Sequence, residues 1–159
     1  MQILALNPKS ILDIGVGFGS KGMLFREYTD IWQGNYRNWK TRIDGIEIFE
    51  DYITPLQELI YDNIYIGDAF YFLNTLPYYD LIYMGDIIEH FDKARGKLFL
   101  EKMKARGRNI IIATPSTVLK QGPIYGNIYE EHKSQWNPED FKGAKILTFE
   151  NILIAKYAT

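Results

Sequence analysis

Residues 11–19 read Ile11-Leu12-Asp13-Ile14-Gly15-Val16-Gly17-Phe18-Gly19. The first four form an apolar strand pattern interrupted by one acid, and the rest place a glycine at every second position. A helical pattern follows, over about 20–28. Strand, glycine loop and helix in that order bring a ligand against backbone N–H groups at a helix N-terminus. Glycines there permit positive φ and close approach. A pyrophosphate-binding loop has the spacing G-x-G-x-x-G. Here it is Gly15-x-Gly17-x-Gly19, and Ser20 takes the third-glycine position. Asp13 would repel a pyrophosphate and suits a ligand with a positive amine. A tight turn around a buried Asp is the plainer reading of the same residues.

Outward from this stretch, short apolar runs alternate with longer amphipathic segments, the pattern of an α/β domain with a mostly parallel sheet. The spacing predicts strands over 42–47, 64–66, 80–84 and 109–113. It predicts helices over 55–61, with Pro55 in the first turn, and over 94–105. Two further strands, 145–149 and 151–157, are joined by almost nothing. So short a link cannot make a parallel crossover, and an antiparallel hairpin is expected. Five parallel strands with such a hairpin differ from the fully parallel dinucleotide-binding sheet.

Two more acids fall at strand ends. Glu47 closes the second strand, where a carboxylate accepts both hydroxyls of a ribose. Asp68 follows the third, in Gly67-Asp68-Ala69, placed to accept from an adenine amino group. Taken singly, each reads as a solvated loop acid. Together, three acids at successive strand ends share the edge where open α/β sheets bind ligands. A cationic amino acid, a ribose and an adenine describe S-adenosylmethionine.

With 159 residues, 47% hydrophobic and 24% charged, the chain is expected to form one domain, 1–159, with a full core. It has no Cys, which excludes disulfides, thiolate metal sites and cysteine nucleophiles and fits a cytoplasmic protein. Lys and Arg number 18 and Asp and Glu 20, for a net charge of −2 and a pI near 5.7. That balance excludes a broad nucleic-acid-binding surface and leaves room for a local basic patch. Residues 1–10 show no signal-peptide pattern, and no apolar run approaches the ~20 residues that span a bilayer, so no membrane partner is expected. Aromatics reach 15%, with 12 Tyr, and are expected mostly in the core.

On these motifs the sequence resembles the class I S-adenosylmethionine-dependent methyltransferases over nearly its whole length. Residues 11–19 look like the family's glycine motif, Ile46-Glu47 like its ribose-binding acid and Asp68-Ala69 like its adenine-side motif. Tyr79-Asp80-Leu81-Ile82 followed by Asp86-Ile87-Ile88-Glu89-His90 looks like its fourth-strand motif. The resemblance implies a Rossmann-like three-layer sandwich whose seven-stranded, mostly parallel sheet has the order 3-2-1-4-5-7-6, the seventh strand antiparallel. It implies S-adenosylmethionine as cofactor, bound by Asp13, Gly15, Gly17, Gly19, Glu47, Ile48, Asp68, Ala69 and Met84. Ile48 and Met84 would flank the adenine and the methionine moiety.

The sequence departs from the family pattern in two places. About thirty residues separate Gly17 from Glu47, against the usual twenty or so. The excess, 32–40, is rich in Trp, Tyr, Asn and Arg and reads equally as a lid or as plain surface. The N-terminus lacks the long leading helices that often cover the substrate in relatives, which implies a pocket left open or closed by a partner.

Methyl transfer is an in-line displacement at a sulfonium carbon, in which the enzyme aligns donor and acceptor and can take the acceptor's proton. The chain has 2 histidines, His90 and His132. If a helical turn starts at Asp86, then Asp86, Glu89 and His90 share one face. The same spacing also reads as an N-cap, Asp86, with Glu89 as its reciprocal partner. His132 follows the fifth strand at the same sheet edge, in a long loop, 115–134, of the kind that forms substrate walls. His132-Lys133-x-x-Trp136-x-x-x-x-Phe141 resembles a segment of the small-RNA 3′-terminal ribose 2′-O-methyltransferases. Those enzymes also carry an acid-x-x-Glu-His motif, and together the two motifs bind a divalent metal. Here Asp86 stands where they usually have Glu.

The resemblance thus implies Asp86, His90 and His132 as catalytic residues, and Asp86, Glu89, His90 and His132 as ligands of a divalent metal. Similar Glu-His motifs occur in small-molecule O-methyltransferases. The acidic pI and the lack of RNA-binding extensions favour a small-molecule methyl acceptor, methylated at oxygen, over RNA ends. Ser20 and the terminal hairpin speak against a nicotinamide-dependent oxidoreductase. A non-catalytic S-adenosylmethionine-binding module stays open, because the acids at 13, 47 and 68 speak for cofactor binding and say nothing of turnover.

Overall fold

Alternating side chains along the central strands divide the apolar residues between two faces. In β1 (Ser10–Ile14), Ile11 joins one cluster and Leu12 and Ile14 the other. In β4 (Tyr79–Gly85), Leu81 joins the first and Ile82 and Met84 the second; β5 (Gly107–Pro115) splits Ile111 from Ile110 and Ile112 in the same way. The first face is covered by α2 (Ser20–Thr29) through Phe25 and α3 (Pro55–Ile60) through Ile60, with α1 (Gln2–Leu6) packed alongside. The second is covered by α5 (Lys93–Lys104) through Phe99, Leu100 and Met103, and by α4 (Ala69–Phe72) through Ala69. The result is the expected three-layer sandwich.

The computed structural model describes residues 2–117 and 120–158. The expected domain, 1–159, and the expected loop, 115–134, therefore each include residues outside the described ones. With β2 (Arg42–Glu47), β3 (Asn63–Ile66), β6 (Lys145–Phe149) and β7 (Ile152–Ala158), the described strands form one 7-stranded sheet of order β3-β2-β1-β4-β5-β7-β6. β1 to β5 pair in parallel, and β7 runs antiparallel to both β5 and β6. The order and the hairpin are those expected. α1 and α4, of 5 and 4 residues, are too short to show a period and were not foreseen. No described helix is long and apolar enough to cross a membrane.

Residues 32–40 are not a lid. They connect α2 to β2, at the sheet edge opposite the carboxyl ends of the parallel strands, and line neither of the cavities described below. Their anchor is Arg26, whose buried guanidinium pairs with Asp30 at 3.1 Å and Asp62 at 2.7 Å and lies 5.0 Å from the Trp39 ring. Asp30 in turn accepts from the backbone N–H groups of Lys40 and Thr41.

Candidate active site

At the carboxyl ends of β1, β2 and β4 lies a cleft of about 340 Å³, within the range of small-ligand sites. Gly15 and Gly17 line it, at φ 82 and 51. A Cβ on Gly15 would stand 1.9 Å from Ile87 Cδ1, while Gly17 has open space there. Glu47 is 5% exposed and held by both carboxylate oxygens. Gly17 N–H donates to Oε2 at 2.8 Å and Phe49 N–H to Oε1 at 2.9 Å. Burial pushes its carboxyl up, and these N–H donors pull against that shift. Ile48, Asp68 and Ala69 also line the cleft. Asp68 caps α4 through Phe70 N–H at 2.9 Å and pairs with Arg95 at 2.5 Å.

Three of the expected cofactor residues do not line the cleft. Asp13 and Met84 are each the last but one residue of their strand, and their side chains lie buried under the helices. Met84 is fully buried in the α5 face. Asp13 accepts from the Tyr61 hydroxyl at 2.6 Å, and its Oδ1 is buried without a partner. Gly19, at φ 84, caps α2, and Gln57 Cγ lies 3.0 Å from where its Cβ would stand. Its glycine answers to backbone and packing.

Burial pushes the Asp13 carboxyl up from 3.8 to about 7, against the Tyr61 hydrogen bond and the attraction of Lys21. Between those values the folded chain holds a proton that the unfolded chain has released. The Asp13 contribution therefore makes stability fall as pH rises from about 4 to about 7. Asp13→Asn is expected to flatten this slope in thermal melts. Identical slopes in the two proteins would rule the effect out.

Beside the cleft, Glu89, His90 and His132 each offer a ligand atom within 4.8 Å of the other two. Glu89 and His90 lie in the 3-10 turn Ile88–His90. Glu89 is 2% exposed; Oε2 accepts from the Thr114 hydroxyl at 3.1 Å, and Oε1 is buried with no partner. Burial pushes this carboxyl up to about 7. His90 Nδ1 lies 3.1 Å from the Glu131 carbonyl oxygen. A carbonyl only accepts, so Nδ1 carries the proton and Nε2 keeps a lone pair. Burial lowers the His90 pKa and favours this neutral form.

Asp86 lies outside the group. Its φ of 56 breaks the helical register, and the turn after it has Ile87 as N-cap with no side-chain cap bond. Neither the shared face nor the capping box expected at Asp86 forms. Asp86 lines the cleft instead.

His132 is brought to Glu89 by the tryptophan four residues on. The indole N–H of Trp136, fully buried, donates to the Ile88 carbonyl at 3.0 Å and to Ser134 Oγ at 2.9 Å. The Glu89 carbonyl accepts from the N–H groups of Lys133 and Ser134 at 2.8 and 3.0 Å. Phe141 packs 5.3 Å from the indole. The aromatic half of the His132–Phe141 segment is thus a core anchor. A second cavity, of about 180 Å³, is lined by Glu89, His132, Lys120 and Lys133; His90 and Lys133 line the cleft. The three-residue group stands between the two spaces.

No protein-family model and no curated protein matches the sequence. Solved structures do match. A SAM-dependent methyltransferase from Archaeoglobus fulgidus superposes with a TM-score of 0.67 at 21% identity, covering 94% of this chain and 86% of that one. The methyltransferase domain of bacterial CtHen1-C superposes at 0.68 and 15%, covering 99% and 92%. Magnesium protoporphyrin IX methyltransferase from Synechocystis PCC 6803, with bound S-adenosylhomocysteine, superposes at 0.66 and 16%, covering 98% and 77%. The fold is that of the class I S-adenosylmethionine-dependent methyltransferases.

On this methyltransferase fold, part of the segment after β5 crosses the cleft mouth. Tyr52, from the turn Glu50–Tyr52, donates its hydroxyl to Glu130 Oε1 at 2.9 Å. Phe18 of the glycine loop lies 4.7 Å from Tyr52 and 6.2 Å from Tyr125. Tyr52, Arg95, Asn127 and Glu130 line the cleft and were not foreseen. Arg95 falls in the first turn of a helix whose spacing gave its span but not which exposed side chain meets the cleft. The others lie in irregular segments, where no period marks an inward side chain.

Proposed function

We propose that the chain is an S-adenosylmethionine-dependent methyltransferase acting at an oxygen of a small-molecule acceptor. The observation that carries this reading is the meeting, at one sheet edge, of the cleft built on Glu47 and Gly17 with the Glu89, His90 and His132 group. Glu47, fixed by two backbone N–H groups, presents a carboxylate to a ribose diol. Ile48, Asp68 and Ala69 form the wall for an adenine, and Gly15 and Gly17 leave room for the methionine part. When bound, the cofactor supplies the methyl group.

Glu89, His90 and His132 fit a divalent metal. One buried carboxylate oxygen lacks a partner, and one imidazole presents its lone pair. A carboxylate with two imidazoles suits Mn, Fe, Co or Zn better than Mg. When bound, such an ion lowers the pKa of an acceptor hydroxyl. Without one, neutral His90 takes the acceptor's proton at Nε2. Asp86 belongs to the cleft wall, where it meets cofactor or acceptor.

Titration calorimetry tests the cofactor. S-adenosylhomocysteine is expected to bind and NAD is not; tighter binding of NAD overturns the reading. A second reading, methylation of RNA ends at a ribose 2′-oxygen, is favoured by one observation: Lys120 and Lys133 line the small cavity, as a phosphate would need. Labelled S-adenosylmethionine offered with small hydroxyl compounds and with short RNA separates the two acceptors.

A further inference from the structure

Glu130 has no role in the site as described so far. It lies in the cleft with Glu47, and its Oε1 is held at 2.9 Å by the Tyr52 hydroxyl. The same cleft is lined by Glu47, Asp86 and His90, so Glu130 faces the space that cofactor and acceptor would fill. The charged groups lining the cleft are the carboxylates of Glu47, Asp68, Asp86, Asp92 and Glu130 against the cations of Arg95 and Lys133. Arg95 is already paired with Asp68. The cleft therefore carries excess negative charge, in a setting where charges act more strongly than in water.

S-adenosylmethionine and S-adenosylhomocysteine share their adenine, ribose and amino-acid groups. They differ by one methyl group and by one positive charge at sulfur. Hydrogen bonds of Glu47 and Asp68 with ribose and adenine are common to both, so those bonds do not tell cofactor from product. A carboxylate facing the cleft and paired with no cation among the described residues, as Glu130 is, adds an attraction to the sulfonium charge that the product lacks. On the proposed cofactor reading, we propose that Glu130, positioned by Tyr52, makes the cleft favour the sulfonium cofactor over its neutral thioether product. In methyl transfer the carbon–sulfur bond breaks with its electron pair kept by sulfur. A carbon–oxygen bond forms to the acceptor, and the acceptor's proton leaves to solvent, through His90 when no metal holds that imidazole. The ligand loses one positive charge, and with it the attraction to Glu130, so the reaction itself loosens the product.

The test is calorimetry of both ligands, with EDTA present so that no metal charge enters, on wild type, Glu130→Gln and Tyr52→Phe. Wild type is expected to bind S-adenosylmethionine more tightly than S-adenosylhomocysteine. Glu130→Gln is expected to reduce that preference about three- to tenfold, by weakening the cofactor and leaving the product nearly unchanged. Tyr52→Phe keeps the charge but frees it, and a smaller loss of preference is expected. Raising salt from about 50 to about 500 mM is expected to erode the preference in wild type and to do little in Glu130→Gln. Equal weakening of both ligands by Glu130→Gln overturns the proposal. If Glu130→Gln does not fold, an unchanged preference in Tyr52→Phe together with a salt-insensitive preference in wild type overturns it. Failure of wild type to bind either ligand overturns the cofactor reading instead.

Discussion

Glu89→Ala is expected to weaken Mn2+ binding more than about 100-fold while S-adenosylhomocysteine still binds. The carboxylate is 2% exposed, and one of its oxygens has no partner among the described residues. A buried carboxylate oxygen in that condition costs free energy unless a cation or a proton meets it. His90 and His132 stand within ligand range of it. Removing Glu89 takes away the one anionic ligand and leaves two neutral imidazoles. His132→Ala is expected to lose metal and rate together. Electron paramagnetic resonance of Mn2+ reads the binding, and turnover with the acceptor reads the rate. EDTA is expected to abolish turnover and Mn2+ to restore it. Full turnover by metal-free wild type would leave the two histidines as acid–base groups and remove the metal from the mechanism.

Glu47→Ala is expected to weaken S-adenosylhomocysteine by about 2–4 kcal/mol, roughly 30- to 1000-fold. The substitution removes more than the ribose contact. Glu47 also fixes the Gly17 and Phe49 N–H groups, so the glycine loop loses its tie to β2. Calorimetry checks the affinity, and a thermal melt checks that the variant is folded. A folded variant with unchanged affinity would show that the cleft is not a ribose site.

The fold was legible because its decisive marks are local. Gly15 and Gly17 follow an apolar strand directly, and the two final strands are separated by a link too short to cross a sheet. Glu47 and Asp68 both line the cleft, since a residue at or just past the carboxyl end of a parallel strand reaches the ligand edge whatever the helices do. Asp13 and Met84 do not line the cleft because they lie one step back, buried under the helices. Asp86 falls outside the Glu89, His90 and His132 group because its left-handed backbone breaks the helical spacing on which the grouping depended. Glu130 and Tyr52 were invisible because their meeting spans 78 positions and joins two irregular segments.

The knot around Arg26 separates chain length from chemistry. Asp30 clasps the two ends of residues 32–40 by holding the N–H groups of Lys40 and Thr41, so what lies between is a closed bight rather than a structural strut. Its tip turns at Asn35 to Asn38, and Trp32 is 60% exposed. This is where the protein can be handled: a dye, an affinity tag or a surface tether carried there sits across the sheet from the ligand edge. A change of length in this stretch is expected to leave the groups at the ligand edge in place.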